Sequence, residues 1–252
     1  MIYVTGYTGF IGSSVKELLR YLDFNVYGIG RTNWDDLFFK KTKNDIIIHC
    51  AASLESGKLN REMDDDLIDF VKESGDKLIY LSTINDSGTS YAKEKRNSEK
   101  RIESEIEKYV IFKISSPYGV GQKRKTVISK SVERAFNGKD IYYYGDGSRE
   151  QDFIYVDDLA RLIVIACQND VVGMYHATYG HNINMINLTR TIANIFSVRY
   201  FRGIIHDNKE KLEYTIFDNS QTCIDFNWFT PIGIEEGITK MKKDLIHKQN
   251  SR

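Results

Sequence analysis

Proline is almost absent from this 252-residue chain, cysteine is scarce, and the charges cancel. With Pro117 and Pro231 as its only prolines, the chain has no proline-rich linker to hold independent modules apart. Cys50, Cys167 and Cys223 are odd in number and widely spaced. That excludes a disulfide framework and predicts thiols buried in apolar surroundings in a reducing compartment. Lys and Arg total 35 and Asp and Glu total 35, so no net field draws the protein to nucleic acid or an anionic membrane. The longest strongly apolar stretch, around Leu159 to Cys167, is too short to span a bilayer, and the chain enters its first strand without a leader. A cytoplasmic protein with small-molecule partners is expected. His49, His176, His181, His206 and His247 show no ligand spacing, so no metal is expected. Repeats, low-complexity tracts and heptad arrays are also missing.

What is present begins at the first residue. Met1 to Gly12 read as a short apolar strand running into Gly6-x-x-Gly9-x-x-Gly12, followed by the helix-period apolar set Ile11, Val15, Leu18, Leu19 and Leu22. A second strand, Asn25 to Gly30, comes next. This order predicts a dinucleotide-phosphate cradle: Gly6 for the tight exit from the strand, Gly9 for close approach of the pyrophosphate, Gly12 for close helix packing. Unpaired N–H groups at the helix start would face the phosphates.

The run Asp45 to Ala52 is continuously apolar at its centre and reads as a strand buried on both faces, which implies a parallel α/β sheet. A helix ending near Gly75, a strand Lys77 to Ser82, a charged helix from about Tyr91 to Lys108 and a strand Tyr109 to Ile114 follow. From Ser115 onward strands shorten, and helices over 126–136, 156–167 and 185–196 alternate with Gly-, Asn- and Asp-rich loops. The expectation is a Rossmann-type doubly wound sheet over 1–114, with 153–172 returning to it, and a smaller α/β substrate lobe over 115–252.

Tyr91 and Lys95 stand one helical turn apart on one face. A phenol has an intrinsic pKa near ~10, and a neighbouring cation stabilises the phenolate, so Tyr91 could exchange a proton with a sugar or alcohol oxygen. A second Tyr-x-x-x-Lys, Tyr109 and Lys113, lies in a strand and cannot bring its two side chains together. Thr83, at the end of the strand before Tyr91, can donate a hydrogen bond to the same substrate oxygen or cap the following turn.

Together these motifs resemble the extended short-chain dehydrogenase/reductases of the NAD(P)-dependent nucleotide-sugar epimerase/dehydratase family. The resemblance also rests on His49-Cys-Ala-Ala52, Tyr118-Gly-Val-Gly-Gln122, Gln151-Asp-Phe-Ile-Tyr-Val-Asp-Asp158 and the closing segment from Phe229 to Gly237. It implies hydride transfer at a carbon, usually C4, of a nucleotide-linked sugar, with Thr83, Tyr91 and Lys95 as the catalytic set. It assigns the dinucleotide to Gly6, Thr8, Gly9, Phe10, Ile11, Gly12, Arg31, Ala51, Ala52, Tyr91 and Lys95, and implies a homodimer.

Departures from the family pattern narrow the reading. Little room remains between Arg31 and Asp45 for the usual strand-helix unit, so the cofactor edge of the sheet is expected to be trimmed. Ser116 stands where the family has Asn and Gln151 where it has the diphosphate-binding Arg, leaving Arg149 as the substitute; these three are the candidate substrate residues. Arg31 at the end of the second strand suits a 2′-phosphate, which favours NADP(H), although Asp35 or Asp36 could serve NAD(H). Ile84-Asn85 replaces the Asp-Glu of the family's dehydratases. The remaining expectations are an NADPH-dependent 4-keto reductase, a 4-epimerase with tightly held NAD, or a cofactor-binding protein without catalysis.

Overall fold

A computed structural model describes residues 1–39, 45–53, 56–85, 88–123, 125–203 and 217–251. In chain order the first elements are β1 (Ile2–Thr5), α1 (Phe10–Tyr21), β2 (Val26–Ile29), β3 (Ile46–His49), α2 (Gly57–Ser74), β4 (Lys77–Thr83), α3 (Ser90–Glu105) and β5 (Tyr109–Ile114). They continue as β6 (Ser116–Tyr118), α4 (Val127–Phe136), β7 (Ile141–Tyr143), β8 (Glu150–Tyr155), α5 (Val156–Cys167) and β9 (Gly173–Ala177). Then follow β10 (Asn182–Asn184), α6 (Met185–Phe196), β11 (Tyr200–Arg202), α7 (Ser220–Asp225) and α8 (Ile234–Asn250).

The chain divides into two compact units. The first comprises Met1–Ser115, Leu159–Ala177 and Asn219–Trp228; the second comprises Ser116–Asp158, Thr178–Asp218 and Phe229–Arg252. The segment that rejoins the first unit is therefore Leu159–Ala177 rather than 153–172, and Asn219–Trp228 returns as well. The shift has a packing reason: Phe153 and Tyr155 belong to the core of the second unit.

The first unit is a six-stranded sheet in the order β2-β1-β3-β4-β5-β9, parallel throughout. Its inner strands are rich in Ile, Val and Leu and are largely buried, as expected where both faces are covered, whereas the edge strands β2 and β9 are mostly half-buried. From β1 the chain steps outward to β2, then returns across β1 to β3. Right-handed crossovers consequently put α1 and α2 on opposite faces, and the loops after β1 and β3 flank the switch point where α/β sheets bind ligands. β2 is the edge strand; after it the described residues make a 3-10 segment, Arg31–Leu37, in place of another strand and helix.

Local chemistry sets the helix limits. Ser56 caps α2 by accepting a hydrogen bond from Leu59 N at 3.1 Å, and Gly75 ends it at φ 68°, a conformation that favours glycine. Thr89 caps α3 by accepting from Ala92 N at 3.2 Å. That helix stops at Glu105, short of the expected Lys108, because Ile106 turns extended and buries its side chain in the core.

The second unit pairs β10-β8-β6, with β8 parallel to β6 and antiparallel to β10, and a separate parallel pair, β11-β7. Helices α4, α6 and α8 bury Ile128, Val132, Leu188, Ile192, Ile238 and Met241 around Tyr118, Phe153 and Tyr155. Asp152 accepts hydrogen bonds from Tyr179 N (2.9 Å) and Gly180 N (2.8 Å), and Asp158 accepts from Ile232 N at 3.1 Å. Asp152 and Asp158 of the Gln151–Asp158 block thus tie loops of this unit together. No helix among the described residues is long and apolar enough to cross a membrane.

Candidate functional site

The loop after β1 leaves no room for a side chain at its glycine positions. Gly6 has φ +63°, and a Cβ there would stand 2.8 Å from both Ala51 N and Ala51 Cα. A Cβ on Gly12 would stand 2.4 Å from the carbonyl oxygen of Gly6, and one on Gly9 3.0 Å from the same oxygen. Gly9 is the N-cap of α1 and makes no side-chain cap, and the first turn carries no acid, so the leading N–H groups are open to an anion. Thr8 is exposed, while Phe10 and Ile11 are half-buried at the helix start. A bare backbone concavity at a helix N-terminus beside the loop after β3, where Ala51 and Ala52 lie, fits a dinucleotide diphosphate.

At the end of β2, Arg31 is exposed. Asn33 holds this turn, accepting from Gly30 N at 2.8 Å and donating to Gly28 O at 3.1 Å. Asp36 accepts a hydrogen bond from Tyr27 Oη at 2.7 Å, which engages one of the two acids that could have served a ribose. Tyr7 was not anticipated. A Cβ on Gly28 would meet its ring at 2.6 Å and one on Gly30 at 3.3 Å, so both glycines accommodate the ring, and Lys16 Nζ lies 4.0 Å from the ring centroid. The glycine spacing in β2 was the available signal.

Thr83 ends β4 and accepts from Asn85 N at 3.1 Å, the turn-capping role; its own proton remains able to donate to a ligand. Tyr91 lies in the first turn of α3 and is half-buried. Lys95, one turn on, is buried: its Nζ donates to Tyr80 Oη at 2.9 Å and lies 3.8 Å from Asp64 Oδ2 and 4.2 Å from the centroid of the Tyr80 ring. Tyr109 and Lys113 lie in β5, and Lys113 pairs with Glu99 at 3.4 Å.

Behind Lys95 is a polar cluster that the sequence reading did not connect. Thr5, His49 and Tyr80 occupy paired register positions on β1, β3 and β4. Asp64 of α2 faces them, receiving hydrogen bonds from Tyr80 Oη and, at 2.7 Å, from Ser98 Oγ, while its Oδ1 lies 3.0 Å from His49 Nε2. His49 Nδ1 lies 2.9 Å from Thr5 Oγ1, which accepts from Ala51 N at 3.2 Å. Burial works against ionisation of Asp64, yet Lys95, His49 and Tyr80 outweigh it and hold the carboxyl well below the usual range. Burial lowers Lys95 and His49 and raises Tyr80. The signal for Asp64 was an acid within the stripe Asn60, Asp64, Leu67, Ile68 and Val71, all buried on α2.

In the second unit, Gln151 Nε2 donates to Ser116 Oγ, and Arg149 Nη2 donates to Gln151 Oε1 at 3.4 Å and approaches Met185 Sδ at 3.6 Å. Arg149 Nε is buried without a hydrogen-bond partner. The three candidate substrate residues therefore touch one another, with one donor left to satisfy. Among the aromatic residues of this unit that could stack on a nucleotide base, Tyr142 and Tyr144 are exposed, whereas Phe153 and Tyr155 are buried in the core. The cysteines are free and half-buried as residues, burial raises the thiols of Cys50 and Cys167 to about 12, and the described residues contain no metal-binding cluster.

A doubly wound sheet, a glycine-spaced loop at a helix N-terminus and a Tyr/Lys helix in one unit have the form of a dinucleotide-binding α/β protein. The NAD dependent epimerase/dehydratase family profile matches residues 2–179, and the chain belongs to that family. It is an enzyme of the oxidoreductase type that the family comprises. A UDP-glucuronate 4-epimerase of Thermodesulfobacterium geofontis is 23% identical over 266 residues, spanning 90% of this chain and 80% of that protein. A dTDP-D-glucose 4,6-dehydratase of Dictyostelium discoideum is 21% identical over 77% of this chain and 44% of its own length. Among solved structures, the fold is similar to that of UDP-glucose 4-epimerase from Thermotoga maritima, with a TM-score of 0.83 and 18% identity, covering 98% of this chain and 99% of that one.

Proposed function

We propose that this enzyme reduces the 4-keto group of a nucleotide-linked deoxysugar at the expense of NADPH. The observation that carries the cofactor choice is Arg31, exposed at the end of β2, with Asp36 engaged by Tyr27. A guanidinium there matches a 2′-phosphate through charge-assisted hydrogen bonds. NADPH, when bound, supplies a hydride to C4. Tyr91 donates the proton to the oxygen, Thr83 orients that oxygen with its hydroxyl, and Lys95 contributes the positive charge that favours the phenolate left behind. Gly6, Thr8, Gly9, Phe10, Ile11 and Gly12 would hold the diphosphate, with Ala51 and Ala52 beside it. Ser116, Arg149 and Gln151 would receive the substrate, the unpartnered Nε of Arg149 being suited to an anionic group.

The relatives support a second reading, a 4-epimerase that keeps NAD, because several carry that activity in their names. A panel of nucleoside-diphosphate 4-keto sugars with NADPH, followed by NMR of the product, separates the two. The reductase oxidises NADPH in stoichiometric amount. Purification with NAD retained and no NADPH consumed on any substrate would replace it with the epimerase. For Arg31→Asp, binding titrations are expected to show at least tenfold weaker NADPH and nearly unchanged NADH; equal losses would remove Arg31 from cofactor selection.

Cytoplasmic residence is part of this proposal, in keeping with the free thiols. A homodimer is proposed from the family resemblance. The exposed faces of α2 and α3 carry Arg101 in ion pairs with Asp65, Asp69 and Glu105, and Leu59 is the large exposed apolar side chain there. Pairing through these helices would consequently be polar and salt-sensitive.

A further inference from the structure

We infer that Asp64 is the positioning residue for Lys95, its buried counter-ion, and that around it β4, the Tyr/Lys helix and α2 share one hydrogen-bonded array, which His49, beside the cofactor loop, meets through a close contact at Asp64 Oδ1. This deepens the proposed oxidoreductase reading and rests on it for the role of Tyr91.

The donors and acceptors can be directed without conflict. Ala51 N–H donates to Thr5 Oγ1 (3.2 Å), whose hydroxyl donates to His49 Nδ1 (2.9 Å); His49 Nε2–H then faces Asp64 Oδ1 (3.0 Å). Asp64 Oδ2 receives the hydroxyls of Tyr80 and Ser98, and Lys95 Nζ donates to Tyr80 Oη (2.9 Å). This direction requires a neutral imidazole, which is the form that burial favours at His49. His49 also stacks flat on Tyr80, ring centroids 5.6 Å apart at 4°.

The charges around Lys95 leave Asp64 as the principal counter-ion. From β3 it faces His49, neutral, and Cys50, whose thiol burial pushes up to about 12 and which is therefore uncharged at neutral pH. From β4 it faces the phenol of Tyr80, raised by burial and Asp64. On its own helix Glu99 contributes, but that carboxylate is engaged by Ser82 Oγ and by Lys113 at 3.4 Å. A buried ammonium without an opposing charge gives up its proton.

Lys95 is held on the α2 side by Tyr80 and Asp64, so its distance from Tyr91 is set by packing and not by a free side chain. Thr5 and Ala51 flank Gly6, and their end of the array borders the dinucleotide loop.

The test uses full-length protein with [ε-13C]lysine, the Lys95 signal being the one lost in Lys95→Met. In Asp64→Asn the Lys95 titration is expected to move down by at least one pH unit, a tenfold rise in its acid dissociation constant. Asp64→Glu should stay within a few tenths of the parent. An unchanged titration in Asp64→Asn would overturn the assignment. Should Asp64→Asn not fold, the pair Asp64→Asn/Lys95→Met decides: mutual counter-ions predict that the double variant folds and melts above either single one, and no recovery contradicts it. With a 4-keto substrate, the ionisation of turnover assigned to Tyr91 moves to higher pH in Asp64→Asn, because the neighbouring charge is lost; a moved lysine titration with an unmoved turnover profile would refute the positioning role. A moved lysine titration in a protein with no turnover on any nucleotide sugar would uphold the counter-ion and sink the proposed reaction.

Discussion

Gly12→Ala is expected to weaken NADPH binding by more than tenfold and to lower the melting temperature. The added methyl has nowhere to go. Its carbon would lie 2.4 Å from the carbonyl oxygen of Gly6 and 2.9 Å from the carbonyl carbon, and both are backbone atoms. Gly6 cannot retreat, because Ala51 N and Cα stand 2.8 Å from where its own Cβ would be, and Ile29 O receives the Gly6 N–H at 2.9 Å. The loop must therefore lift away from α1, which opens the concavity that would seat the diphosphate. Overpacking of this kind costs about 1–3 kcal/mol of stability. Gly9→Ala is the internal comparison: its Cβ would meet the same oxygen at 3.0 Å from an extended N-cap position, a contact relieved by a smaller shift. A thermal melt and a fluorescence titration read both variants; wild-type affinity in Gly12→Ala would contradict the cradle.

Tyr91→Phe is expected to reduce turnover by on the order of a hundredfold or more while NADPH binding stays near that of the parent. The substitution removes one hydroxyl from a half-buried ring in the first turn of α3 and leaves the Thr89 cap and the Lys95 array in place. A proton donor that acts in the chemical step should affect kcat and not dinucleotide affinity. Tyr109→Phe serves as the control, since the second Tyr-x-x-x-Lys lies on β5, where Lys113 is paired with Glu99. Equal turnover in Tyr91→Phe and the parent would remove Tyr91 from the mechanism.

The parts of the molecule legible in the sequence are those set by local rules. Three consecutive isoleucines before His49 read as a buried strand, and Gly6, at φ +63°, states a backbone requirement that other residues rarely meet. Gly75 marked the end of α2 for the same reason. What escaped was set by packing between elements distant in the chain. Asp64 reads as one of three consecutive acids on a charged helix, and only the fold shows that it alone of them is buried, against His49 of β3 and Tyr80 of β4. Tyr7 looked like a spacer between glycines until Gly28 and Gly30 were placed beneath its ring. Lys95 stands in the sequence as a cation one helical turn from Tyr91, but its burial and its engagement with Tyr80 follow from the sheet register, which helical spacing cannot reveal. The return of Asn219–Trp228 to the first unit likewise had no local signature: Tyr175 Oη donates to Asp225 Oδ2 at 3.0 Å and Thr222 Oγ1 donates to His176 O at 2.8 Å, contacts across about fifty residues.

A crystal structure of the enzyme with bound NADPH tests the central claim most directly. The account predicts the diphosphate against the backbone of Gly6 to Gly12 and the nicotinamide ring beside the hydroxyl of Tyr91. A dinucleotide seated elsewhere, or one whose nicotinamide lies away from Tyr91 with that hydroxyl facing bulk water, would contradict it.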